Sequence, residues 1–236
     1  MRRTLTIAKR EFTGYFNGPA AYIVICLFLI LMGVFFWNPF FLINRATVRG
    51  MFDMMSVLLL PTAPAMTMGL LAEEKRTGTI EVLLTMPLKD SEVILGKFLG
   101  ALGLLCVLLL MTLPYPISVS TLGQLDWGPV LAGYFAVLLQ GAAMLAIGVL
   151  ASSWTENQLI AFFSASIINF SLWIVTRFLP FVPMAAASPL EWLSFDYHYE
   201  SMLRGVIDSR DVFYFLSVIG FSLALAFRSL ESRRWS

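Results

Sequence analysis

Ionisable side chains are scarce in this chain. Asp, Glu, Lys and Arg make up 13% of its 236 residues, against roughly 25% in ordinary soluble domains, which is too few to clothe a water-soluble fold of this length. Histidine occurs once, as His198, and cysteine twice, as Cys26 and Cys106. Metal centres and catalytic triads need several convergent groups, and one histidine supplies neither. Both cysteines fall inside apolar runs, where they read as small packing residues rather than as a metal site or an exposed disulfide. No phosphate-binding Gly-x-x-x-x-Gly-Lys-[Ser/Thr] loop is present: Gly96-Lys97 is followed by Phe98, and Ser91 stands where the first glycine would be needed. The chain is therefore expected to bind no cofactor, to cradle no ATP by that route and to be no enzyme. A net charge of +1, with basic residues scattered among the connections, forms no stripe for nucleic acid. No small-residue cleavage site ends the first apolar run, so that run is expected to stay as an anchor.

What the chain has is hydrocarbon. Hydrophobic residues reach 58% and mean hydropathy is +0.80. Apolar runs at 20–37, 51–72, 93–117, 129–151, 158–179 and 212–230 each approach the roughly 20 residues that cross a bilayer as a helix. The expected fold is an all-α polytopic membrane protein with six transmembrane helices, an N-terminal interfacial helix, a short cytoplasmic helix between the second and third spans and an outer interfacial helical segment. It is read as a single transmembrane domain over 1–236, with the interfacial helix at 1–19, a cytoplasmic loop at 73–92 and the outer segment at 180–211. The last span is the weakest, carrying Ser217 and Ser222, although these and Gly220 suit close helix packing.

The first helix should place Leu5, Ala8, Phe12, Tyr15 and Phe16 on one face and Arg2, Thr6, Lys9, Arg10 and Thr13 on the other, with Ile7 off the pattern. Such a helix lies on anionic lipid, or is merely a basic tail that sets topology. Eleven Lys and Arg residues fall on the side of both termini (Arg2, Arg3, Lys9, Arg10, Lys75, Arg76, Lys89, Lys97, Arg228, Arg233, Arg234) and five on the other (Arg45, Arg49, Arg177, Arg204, Arg210). That bias puts both termini in the cytoplasm. Asp90 with Glu92, and Ser153 with Glu156, have the placement of helix caps before the third and fifth spans. Pro114 and Pro116 should break or bend the outer end of the third.

The densest run of charge lies between two apolar stretches, at Glu73-Glu74-Lys75-Arg76, and leads into Thr77-Gly78-Thr79-Ile80-Glu81-Val82-Leu83-Leu84-Thr85-Met86-Pro87. Ile80, Leu83 and Leu84 sit at i, i+3 and i+4 and make a narrow apolar ridge, Gly78 permits a sharp turn, and Pro87 closes the helix at Met86. A short helix across the membrane surface with an apolar ridge needs a groove to bury it, on a partner or simply in the headgroups.

These residues resemble the signature of the ABC-2 type permeases, especially the gliding-motility and copper-site-maturation branches. Further similarity runs through Gly96-Lys97, Ser153-Trp154-Thr155-Glu156-Asn157-Gln158 and Arg204-Gly205-Val206-Ile207-Asp208. The resemblance implies a permease subunit of an ATP-binding-cassette exporter in the cytoplasmic (inner) membrane. Glu73, Glu74, Arg76, Thr79, Ile80, Glu81, Leu83 and Leu84 would then form the coupling site for a separate ABC ATPase subunit that carries the ATP and Mg. It also implies a second permease protomer, identical or related, and in some branches a membrane-anchored subunit with a periplasmic domain. A scaffold that drives a periplasmic partner without moving solute would leave the same signature.

In the outer segment Trp192, Phe195, Tyr199, Met202, Leu203 and Val206 share one helical face, which predicts a helix tucked into the lipid interface as a brace or beside the exit of a transport path. Gln140, Ser166 and Asn169 are the polar residues inside spans, where they either line a conduit or bond between helices.

Overall fold

The structure is a computed structural model that describes residues 2–43, 47–79, 89–181 and 183–232. Among the described residues every regular element is helical. In chain order these are α1 (Arg2–Asn17), α2 (Ala20–Ile43), α3 (Arg49–Thr67), α4 (Gly69–Arg76), α5 (Asp90–Met111), α6 (Pro114–Leu122), α7 (Trp127–Trp154) and α8 (Gln158–Phe178). A 3-10 turn at Leu179–Phe181 leads to α9 (Met184–Leu193), α10 (Phe195–Leu203) and α11 (Ser209–Ser232). Among the described residues six stretches are long and apolar enough to cross a membrane: Ala20–Asn38, Arg49–Arg76, Asp90–Leu122, Trp127–Trp154, Gln158–Phe178 and Ser209–Glu231. They coincide with the six apolar runs of the sequence. Six crossings bring α1 and the end of α11 to one membrane face, with the α9–α10 hairpin on the opposite face.

Prolines set the internal breaks. Thr112 and Leu113 separate α5 from α6 because Pro114 and Pro116 bring no N–H to the ladder, and the Thr112 hydroxyl donates to the Leu109 carbonyl (2.7 Å). In the second span Pro61 and Pro64 lie inside α3, and the helix reforms as α4 after Met68, whose N–H reaches the Pro64 carbonyl (2.8 Å). This span runs on to Arg76, so Glu73–Arg76 is a helical end rather than loop.

Two expected caps fall on other residues. Asn157, not Ser153, caps α8 by accepting from the Leu159 N–H (2.9 Å), because it sits directly before the first helical turn. Ser153 is buried in the last turn of α7, its hydroxyl donating to the Leu150 carbonyl (2.6 Å). Asp90 is the first residue of α5, and Glu92 reaches back to the Lys89 N–H (3.2 Å).

Helix α7 is the centre of the bundle, packed by α3, α4, α5, α8, α10 and α11. Its small residues permit this. A Cβ on Gly141 would lie 2.7 Å from Leu105, and one on Gly148 2.0 Å from the Thr67 hydroxyl oxygen, so neighbouring helices seat directly on the α7 backbone. The outward faces of α2, α8 and α11 are apolar instead, with Ile23, Ile30, Phe163, Ile167, Phe213 and Phe221 exposed, as hydrocarbon surroundings require.

Candidate functional site

Helix α1 does not lie free on the membrane surface. It crosses a bare strip of α5 where a Cβ on Gly96 would meet Ile7 at 2.6 Å, on Gly100 the Glu11 side chain at 2.7 Å, and on Gly103 the Phe12 ring at 2.9 Å. The buried side of α1 is thus set by Ile7, Glu11 and Phe12, while Leu5 is 63% exposed. The expected apolar face is rotated because a charged residue, Glu11, belongs to the contact.

Close approach of α1 brings the Glu11 carboxylate within 3.0 Å of Lys97 Nζ, which also lies 2.7 Å from Glu74 Oε1 at the end of α4. The Lys97 side chain is only 2% exposed. An ammonium stripped of water needs anionic partners, and these two come from elements 86 and 23 residues away. One lysine against two glutamates leaves the cluster a negative charge, and Glu74 Oε2 has no hydrogen-bond partner among the described residues. The Tyr15 hydroxyl adds a second clamp by donating to the Met66 carbonyl (2.6 Å). Burial, reinforced by the Glu11 charge, pushes that phenol well above its ordinary range. Beside the cluster opens a cavity of about 730 Å³, whose lining includes Arg10, Glu11, Tyr15, Glu73, Glu74 and Lys97.

The junction of α3 and α4 is spliced from α7. Ser152 Oγ accepts from the N–H groups of Leu71 and Ala72 (both 3.0 Å) and donates to the Met68 carbonyl (3.1 Å), using its one hydrogen and both lone pairs. One turn on, Lys75 Nζ and the Ser229 hydroxyl both donate to the Ser153 carbonyl. The end of α4 is therefore pinned directly to α5 and α7, and is linked to α1 through Lys97 and to α11 through the shared Ser153 carbonyl.

Of the coupling residues expected from sequence, Glu73, Arg76 and Thr79 are exposed and Glu74 is half-buried against Lys97. Gly78 takes a left-handed φ of 71°, stopping α4 as a sharp turn there requires. Thr79 Oγ bonds the Glu74 carbonyl (3.3 Å). Ile80, Glu81, Leu83 and Leu84 lie outside the described residues.

The outer residues separate. Phe195, Tyr199 and Met202 are buried in the chain's own core, with the Tyr199 hydroxyl donating to the Phe52 carbonyl (2.6 Å) and burial pushing it well above its usual range. Trp192 is exposed. Ser194, in extended conformation, breaks the expected single helix and turns α9 out of phase with α10, which a face drawn over continuous helix does not register. Inside the spans, Gln140 donates to Ser56 Oγ (2.8 Å) and Asn169 to the Met144 carbonyl (3.5 Å), both between helices. Ser166 lines a groove with Leu60, Pro61 and Phe163, and its hydroxyl has no hydrogen-bond partner among the described residues.

The six spans, the central small-residue helix and the surface helix clamped at one face define a multi-pass helical membrane protein. A family described as ABC-2 family transporter protein matches residues 22–227, and the chain belongs to that family: it is a membrane subunit of a transporter, a class that associates with an ABC ATPase and is not itself catalytic. Lys97 and Glu74 fall inside the matched region and Glu11 before it. Among curated proteins no relative matches the chain.

In the sequence Lys97 was visible as half of a Gly-Lys pair and as one of the basic residues on the side of the termini, not as the centre of a charge cluster. The signal that would have found its role is Gly96-x-x-x-Gly100, a spacing that lets two helix backbones approach.

Proposed function

We propose that this chain is the permease subunit of an ATP-driven exporter, of the gliding-motility and copper-site-maturation branch, forming one transmembrane domain over 1–236 in the inner membrane. Both termini and α4 face the cytoplasm, where a separate ATPase holding ATP and Mg docks on the segment containing Ile80, Leu83 and Leu84. A second permease protomer completes the pathway, and a subunit with a periplasmic domain joins the assembly in some relatives of this branch. The observation that supports this most is the Glu74–Lys97–Glu11 link. Glu74 stands six residues before Ile80, the first apolar residue of the proposed docking segment, so a pull on that segment reaches α5 and α1 through a buried charge. ATP binding and hydrolysis would shift the permease by making different contacts with the segment in each state.

The test uses the permease co-expressed with a candidate ABC ATPase subunit from the same organism. Truncating Leu83 and Leu84 to Ala removes about 1.5 to 3 kcal/mol per fully buried side chain, which weakens co-purification more than about tenfold. Lys97→Met leaves docking intact and reduces the permease-dependent ATPase rate. Unchanged co-purification and unchanged rate in the double Leu variant would sink the reading.

A further inference from the structure

Arg10 on α1 and Glu73 on α4 both line the cavity of about 730 Å³ beside Lys97. Among the described residues neither side chain takes part in a hydrogen bond or an ion pair. The two opposite charges therefore stand on one cavity farther apart than a direct pair reaches, each without a protein counter-charge.

The rest of the lining divides by its place in the fold. Ala20 is the first residue of the first span, and Ala65 and Met66 belong to the second, so the apolar wall lies where helices enter the bilayer. Charge gathers instead on α1 and at the end of α4. The walls are held by the protein itself, through the Tyr15 hydroxyl on the Met66 carbonyl (2.6 Å) and through Lys97, 2% exposed, between Glu11 and Glu74. Helix α1 leaves its side of the cavity bare at Gly14, where a Cβ would meet nothing within 4 Å. A preformed space of this size, apolar at one end and charged at the other, suits a small amphiphile.

We propose that the cavity binds the headgroup of a zwitterionic phospholipid with a primary ammonium, the ammonium on Glu73, the phosphate on Arg10 and the acyl chains running out past the exposed Ala20.

Other charge patterns fit less well. An anionic headgroup satisfies Arg10 but is repelled by Glu73 and by the negative charge that one lysine leaves on Glu11 and Glu74. A soluble cation leaves Arg10 unmatched and gains nothing from the apolar wall. A quaternary ammonium carries the right charge but no N–H, so it forgoes the charge-assisted hydrogen bond that a carboxylate accepts. Bound in this way, the lipid ties α1 to α4 by a second route beside the Lys97 link. The site rests on the cavity and its charges and is independent of ATPase docking.

The test uses the full chain, stripped of lipid in detergent and titrated by native mass spectrometry with phosphatidylethanolamine, phosphatidylcholine and phosphatidylglycerol of identical acyl chains. The first should bind at least about tenfold more tightly than either of the others, the effect of one charge-assisted hydrogen bond. Glu73→Gln, outside the Lys97 link, should lower it to the level of phosphatidylcholine. Gly14→Phe places bulk in the cavity and removes no charge, so it should abolish the preference as well. Glycerophosphoethanolamine, the same headgroup without chains, should not compete at equal concentration. Equal binding of the lipids by the wild-type chain would overturn the proposal, as would a preference that survives in Glu73→Gln or Gly14→Phe, or displacement by the chainless headgroup.

Discussion

Thr67 occupies the notch that Gly148 leaves in α7. A Cβ on that glycine would lie 2.0 Å from Thr67 Oγ1 and 2.9 Å from the threonine Cβ. The Thr67 hydroxyl donates to the Ala63 carbonyl (2.9 Å), so the side chain cannot swing aside without giving up that bond. The end of α3 is thereby seated on α7 one residue before the break at Met68.

Gly148→Ala should therefore cost about 1 to 3 kcal/mol by overpacking, read as a lower thermal midpoint in detergent. Adding Thr67→Ala removes the nearest atom and should recover part of the loss. Strict additivity of the two changes would show that this contact is not the cause.

Lys97→Met should be more damaging, because it leaves Glu11 and Glu74 facing each other without their shared cation. Breaking a buried ion pair from one side costs about 3 to 5 kcal/mol. The triple variant Glu11→Gln, Lys97→Met, Glu74→Gln removes all three charges and should regain most of the midpoint. If the triple variant melts no higher than Lys97→Met, the loss comes from packing rather than charge.

Ser152→Ala withdraws the acceptor shared by the Leu71 and Ala72 N–H groups. Leaving buried donors unmade costs about 1 to 3 kcal/mol each. Hydrogen exchange should accelerate at those two amides and around Met68 while the middle of α7 keeps its protection. Equal acceleration throughout α7 would point to general loosening instead.

Topology is tested by single cysteines in a background lacking Cys26 and Cys106. A cysteine at Thr77 should resist an impermeant external thiol reagent in intact cells, and one at Ser209 should react. Labelling at Thr77 would reverse the orientation on which the docking face depends.

The six spans, the break before Pro114 and the turn at Gly78 could be read directly from the sequence. Each depends on something carried locally: the run length that hydrocarbon thickness demands, a missing N–H, or a residue without a Cβ. The face of α1 and the role of Lys97 were not local. Glu11 counts as polar in any periodicity, yet it lies in the contact because a lysine 86 residues away in the chain meets it, and burial of a charge is decided by its partner. The same holds for the outer hairpin. Trp192 shares a face with Phe195 and Tyr199 only if the helix is continuous, and the extended backbone at Ser194 ends that phase. His198 was legible as one histidine among tyrosines. That both its nitrogens meet oxygen, one on Asp211 and one the Trp192 carbonyl, was settled by how α9, α10 and α11 pack, since a hydrogen bond is a property of two groups brought together and not of either one in the sequence.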